Sequence, residues 1–237
     1  MPEAWITTRE ALGDRPPSTS TTTVPLDRPV TVGRAGQVSL GVGVADSGIS
    51  RVVATVAATP DGWTIHDTSR NGIVLHPWGL APVRATAANR LRWPLIGLRV
   101  LGTEPDARHW LLLECHRYPV DGAASTRSAS TTVRSDPPRP LTTAEQEALH
   151  TVFESTLAWP PPVAPAEPLQ LKQAGRRLGI TASAVKVRLE GARAKAELLG
   201  LEHQVGVTDP TYLHVLVAAG YVHLPAGTQG SPAPQQG

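Results

Sequence analysis

Three short polar clusters punctuate the first half of the chain: Gly33-Arg34, Ser50-Arg51, and Asp67-Thr68-Ser69-Arg70-Asn71-Gly72. Their residue types suit a phosphate dianion, which takes charge-assisted, often bidentate contacts from guanidinium groups and further hydrogen bonds from hydroxyls or amides. Arg34, Ser50, Arg51 and Arg70 supply that set. The Asn71 side chain offers both a donor and an acceptor, which suits the main chain of an extended peptide beside the phosphate. Taken singly the clusters are weak signals, because Asn-Gly also marks hairpin turns and a lone arginine is usually a solvated surface residue. Their use depends on elements that bring them together.

Those elements read as strands. Segments 30–32, 50–56, 63–65, 72–75, 97–101 and 110–114 are rich in β-branched and apolar residues, with turn formers such as Pro60-Asp61-Gly62 separating several of them. That pattern predicts an all-β sandwich or barrel, in which loops from one end converge on a shared surface.

The order Val32-Gly33-Arg34, then Ile49-Ser50-Arg51, then Trp63-x-Ile65-x-Asp67-x-Ser69-x-Asn71-Gly72 resembles the FHA (forkhead-associated) domain, a phosphothreonine-binding β-sandwich of eleven strands. The resemblance covers residues 24–118. It implies that Arg34 and Ser50 hold the phosphate, that Arg51 and Arg70 flank it, and that Asn71 holds the peptide main chain, with Gly33 and Gly72 shaping the loops. The implied partner is a threonine-phosphorylated protein, with a Ser/Thr protein kinase acting upstream. Two positions depart from the family pattern: Val53 stands where a histidine usually braces the binding loop, and Arg70 replaces the usual threonine before the asparagine.

In the second half the apolar period changes to three and four residues, which predicts helices over 142–157, 169–178, 181–199 and 210–219. Thr142 and Glu145 have the spacing of a capping box, and Thr181 has the position of an N-cap after a turn at Gly179. The string Leu178-Gly179-Ile180-Thr181 followed by Val185-Lys186-x-Arg188-Leu189 resembles the helix-turn-helix of sigma-factor region four. Residues 169–200 hold Lys172, Arg176, Arg177, Lys186, Arg188, Arg193 and Lys195 against Glu190 and Glu197, a local surplus of five positive charges. With Ser183, the basic residues Arg176, Arg177, Lys186, Arg188, Arg193 and Lys195 form a candidate duplex-DNA surface. The outermost face of the second helix, Ser183, Val187, Glu190 and Ala194, is poor in the side chains that read bases. A protein-docking role for this module stays open beside DNA binding.

The expected organisation is therefore multidomain β + α: a flexible lead-in over 1–23, the FHA-like β-sandwich over 24–118, a Ser/Thr/Pro/Arg-rich linker over 119–140, the helix-turn-helix-like helical domain over 141–224, and a disordered tail over 225–237. Thr19, Thr21, Thr22 and Thr23 in the lead-in, with Thr131 and Thr132 in the linker, are candidate sites for a tethered phosphothreonine that occupies the chain's own pocket.

Composition narrows the classes. The 237 residues allow two modest cores, and a charged share of 18% with no apolar run near 20 residues excludes a membrane span and points to the cytoplasm. The single Cys115 sits in an apolar run and reads as a buried structural thiol. Dinucleotide and Walker-type glycine motifs are missing, and the eight histidines lack paired metal spacing. The expected chain is not an enzyme and takes no cofactor, metal, membrane or small-molecule substrate. It is an adaptor that passes a phosphothreonine event to DNA or to a second protein, or else a scaffold with a degenerate sandwich and a protein-docking helical domain that binds neither phosphate nor DNA.

Overall fold

The computed structural model describes residues 4–118, 137–162, 166–201 and 203–224, and the chain divides into two compact units, 1–128 and 129–237. The described part of the first unit holds β1 (Ala4–Leu12), β2 (Ser18–Thr23), β3 (Val30–Gly33), β4 (Val38–Ser39), β5 (Ala54–Thr59), β6 (Gly62–Asp67), β7 (Ile73–Pro77), β8 (Val83–Arg84), β9 (Ala88–Leu91), β10 (Leu95–Val100) and β11 (Ala107–Cys115). They form a six-stranded sheet in the order β2-β1-β11-β10-β7-β8 and a five-stranded sheet in the order β4-β3-β5-β6-β9. Among the described residues only β3 and β4 pair in parallel.

Inward residues follow the strand period of two: Ala54, Val56 and Ala58 on β5, Ile73 and Leu75 on β7, and Ile96, Leu98 and Val100 on β10 are all buried. Trp63 and Ile65 on β6 complete the core, and each such side chain stabilises the fold by about 1.5–3 kcal/mol. Tyr118 ties the two sheets, because its ring packs edge-on against Trp63 and its hydroxyl donates to the Thr59 carbonyl at 2.6 Å. Cys115 is fully buried, and burial pushes its thiol pKa up, so it is a core residue. On β7, His76 packs against Trp110, and burial together with Arg99 lowers its pKa to about 4.

The flexible lead-in is corrected. From Ala4 onward it forms β1, which lies between β2 and β11 and pairs with β11 from Ala4 opposite Cys115 to Leu12 opposite Ala107. The inward residues of β1 are Ala4, Ile6, Thr8 and Glu10, and the two polar ones break the apolar alternation that marks a strand. β2 is exposed along its whole length, and its Ser-Thr composition forms an edge without apolar residues. Thr19, Thr21, Thr22 and Thr23 thus lie in a paired strand, which removes the free tether that self-occupancy needs. Thr131, Thr132, the tail over 225–237 and most of the 119–140 linker lie outside the described residues.

The second unit holds α1 (Thr143–Val152), α2 (Glu154–Leu157), α3 (Leu171–Leu178), α4 (Ala182–Leu198) and α5 (Pro210–Ala218). Thr142 and Glu145 cap α1 reciprocally, and the Thr181 hydroxyl accepts the Ala184 amide at the start of α4. Gly179 closes α3 in the left-handed conformation, so three residues join α3 to α4. The α4 stripe of Val185, Leu189, Ala192 and Ala196 is fully buried, and Phe153 meets Tyr212 edge-on at 5.7 Å in the same core. The single predicted helix over 142–157 breaks at Phe153 into α1 and α2.

Candidate functional site

A cavity of about 470 Å³ opens where four loops of the first unit meet. It is lined by Arg34, Ser50, Arg51, Arg70 and Asn71, the full set of ligand-binding residues expected from sequence, together with Ser47, Gly48, Ile49 and Thr103. Ser50 and Arg51 are available to it because the regular strand begins only at Ala54, later than the 50–56 segment predicts.

Two of these loops are zipped together. The Arg34 amide donates to the Ser50 carbonyl at 3.2 Å and the Ala35 amide to the Arg51 carbonyl at 2.9 Å. Gly33 makes this approach possible: its φ is +145°, and a Cβ there would stand 2.4 Å from the Arg51 carbonyl oxygen. The Arg34 guanidinium is then aimed by its own Nε, which donates to the Ile49 carbonyl at 2.6 Å and leaves the terminal nitrogens free for a ligand. Such a half-anchored guanidinium loses little freedom on gripping an oxyanion.

The third loop is built by an Asx turn. Asp67 Oδ1 accepts the Ser69 amide at 2.8 Å and the Ser69 hydroxyl at 2.6 Å, and Ser69 Oγ in turn accepts the Gly72 amide at 2.9 Å. This arrangement presents Arg70 to solvent and turns Asn71 inward, where its Nδ2 donates to the Gly48 carbonyl at 3.2 Å. Its Oδ1 stays available as an acceptor. Arg84 stands alongside, donating from Nη2 to the Asn71 carbonyl at 3.2 Å, and is a fourth cation that sequence spacing does not flag.

Charge distribution separates this cavity from the helical unit. Among the described residues, Arg34, Arg51 and Arg70 are exposed and none lies within 4 Å of a carboxylate. The basic residues of α3 and α4 are differently placed. Arg177 pairs with Glu154, Lys186 with Glu190, Arg188 with Glu147, Arg193 with Glu197 and Lys195 with Glu145. The positive surplus counted along 169–200 omits Glu145, Glu147 and Glu154, which the fold brings in from α1 and α2. Of the candidate nucleic-acid residues, Ser183 is exposed and Arg176 is exposed with no ion pair among the described residues, while Val187 is 65% exposed on the outer face of α4. The electrostatic ground for a DNA surface is therefore much reduced.

Val53, at the position where the resembled family carries a bracing histidine, is buried in the core and holds the loop only through its backbone, with its amide on the Val32 carbonyl and its carbonyl accepting the Thr68 amide.

No family model matches the chain, and no curated protein matches it. Among solved structures the likeness is to FHA domains. An engineered FHA with a Myc-pTBD peptide is 15% identical, covering 48% of this chain and 93% of its own, with a TM-score of 0.34. The MEK1 FHA domain is 14% identical over 48% of this chain and 91% of its own, with a TM-score of 0.35. The FHA domain of the CT664 protein from Chlamydia trachomatis is 16% identical over 47% of this chain and 98% of its own, with a TM-score of 0.34.

Proposed function

We propose that the first unit is a reader of phosphothreonine in partner proteins, acting as a regulatory adaptor without catalysis. One observation carries this reading: Arg34, Ser50, Arg51, Arg70 and Asn71, separate in sequence, line one cavity whose three arginines have no carboxylate partner among the described residues. Uncompensated guanidinium groups gathered around hydroxyls suit a phosphate dianion, and the free Asn71 oxygen suits the amide of an extended peptide. Thr103, exposed in the wall, offers its methyl group as apolar surface for the threonine methyl, worth about 1 kcal/mol of burial.

The test is calorimetric titration of the full chain with a degenerate nonapeptide pool centred on phosphothreonine, and with the same pool carrying phosphoserine or unmodified threonine. Phosphothreonine peptides are expected to bind, phosphoserine ones about fivefold more weakly and unmodified ones not measurably. Equal heats from all three pools would remove phosphate from the recognition.

For the second unit, the ion pairs favour protein docking over DNA reading. With Lys172 and Arg176 the cations on α3 that have no carboxylate partner among the described residues, log affinity for duplex DNA is expected to fall with log salt at a slope of about −2 or shallower. A slope of about −5 in a filter or anisotropy assay would restore a DNA surface.

A further inference from the structure

The segment between β4 and β5, residues 40–53, contains no helix or strand, yet it supplies Ser47, Gly48, Ile49, Ser50 and Arg51 to the cavity. A stretch of that length without regular structure samples many conformations unless something ties it down. The loop's own Asp46, at 2% exposure, is buried against Glu10 of β1 at 5% and His109 of β11 at 1%, three ionisable side chains that the ligand-binding reading does not use.

His109 Nδ1 lies 2.8 Å from Glu10 Oε1, and its Nε2 lies 3.2 Å from Asp46 Oδ2. A neutral imidazole carries one N–H, so either tautomer would set a ring lone pair against a carboxylate oxygen. Both carboxyls are ionised at working pH. Burial alone would raise the Asp46 pKa, but hydrogen bonds from Thr103, Gly48 and Glu104 outweigh it and hold the value at about 2. Glu10 is likewise held below its ordinary value, because the bonds from His109, Gly41 and Gly43 outweigh burial. A ring that donates from both nitrogens would satisfy both anions, as buried carboxylates need.

We propose that His109 is a positioning residue for the cavity: as a double N–H donor between Glu10 and Asp46, it clamps the 40–53 loop in its ligand-ready form. The proposal rests on the phosphopeptide reading above. At one end of the loop, Glu10 accepts the amides of Gly41 at 2.6 Å and Gly43 at 2.9 Å. Towards the other end, Asp46 accepts the Gly48 amide at 2.7 Å and both the amide and hydroxyl of Thr103. Gly48 and Thr103 line the cavity, and the Gly48 carbonyl receives Asn71 Nδ2. Asp46 is seated against bare backbone, since a Cβ on Gly102 would stand 1.9 Å from its Oδ2. The ring therefore holds the loop at two points, and through Asp46 it reaches the cavity wall at Gly48 and Thr103 without lining the cavity itself.

The test uses the full chain, with the degenerate phosphothreonine pool as probe. In the wild-type protein, nitrogen-edited NMR should show two ring N–H protons on His109, and the Gly41, Gly43, Gly48 and Thr103 amides should exchange slowly without peptide. In His109→Gln, whose two donor hydrogens sit on one nitrogen and cannot reproduce donors on opposite edges of a ring, those amides should lose protection and pool affinity should fall about 10- to 100-fold, as expected when the competent loop becomes a minor state. Saturating peptide should restore the protection, a coupling that a purely structural role would not produce. Arg34→Ala should leave the same amides protected. A folded His109→Gln chain with unchanged affinity overturns the proposal, and so does a single ring N–H in the wild-type protein, which decides the matter even where the variant does not fold. Failure of the wild-type chain to bind any pool instead overturns the reading of the site, while the ring and exchange measurements still judge the clamp.

Discussion

Replacing Arg34 with alanine should weaken binding of phosphothreonine peptides about 30- to 1,000-fold, corresponding to about 2–4 kcal/mol for a lost charge-assisted contact to phosphate. Stability of the free chain should change by no more than about 1 kcal/mol. The asymmetry follows from how the side chain is held. Its one internal hydrogen bond runs from Nε to the Ile49 carbonyl, the residue is exposed, and no carboxylate among the described residues compensates its charge. The fold therefore loses a single partly exposed hydrogen bond, and the neighbouring Arg34 and Ala35 amides keep their partners because they belong to the backbone. The ligand loses a pre-aimed cation. Thermal unfolding and calorimetry on the same preparation check both halves, and unchanged affinity would move the phosphate away from Arg34.

How much of this was legible in the sequence depends on which physical signal each residue carries. That the five candidate residues share one place was readable because arginine, serine and asparagine at turn-bounded strand ends fall on loops that converge, and all five line one cavity. The helices were readable from period and caps, with Thr142, Thr181 and Gly179 each performing the capping role its type suits. β1 was not, because its inward face ends in Thr8 and Glu10 rather than in apolar residues. The same polar residues that hid the strand are the ones that build the buried cluster with His109, so the missed strand and the missed support of the site have one cause. Charge balance on the helical unit was only partly legible, for another reason. Sequence counting sees neighbours along a helix, but Glu145, Glu147 and Glu154 reach Lys195, Arg188 and Arg177 across helices, and only packing reveals such pairs.

Gly33→Ala should differ from its neighbour in stability: a loss of about 3 kcal/mol or more in folding stability together with loss of peptide binding. At φ +145° an L side chain is strained, at about 1–3 kcal/mol for such a backbone conformation. The added Cβ would also stand 2.4 Å from the Arg51 carbonyl oxygen and 2.9 Å from Val52 Cα, both backbone atoms that cannot swing away as a flexible side chain would. Relief requires parting the two loops, which breaks the bonds from the Arg34 amide to Ser50 and from the Ala35 amide to Arg51. The Val53 amide, bonded to the Val32 carbonyl at 2.8 Å, would be strained next, and it begins the registry of β5 with β3. Arg34, Ser50 and Arg51 would then no longer face one cavity, so binding fails through geometry even though every ligand-binding side chain is present. Chemical denaturation and peptide titration of Gly33→Ala beside Arg34→Ala separate the two roles. A Gly33→Ala chain with wild-type stability would mean that the loops part without cost, and the close approach at Gly33 would not be what assembles the site.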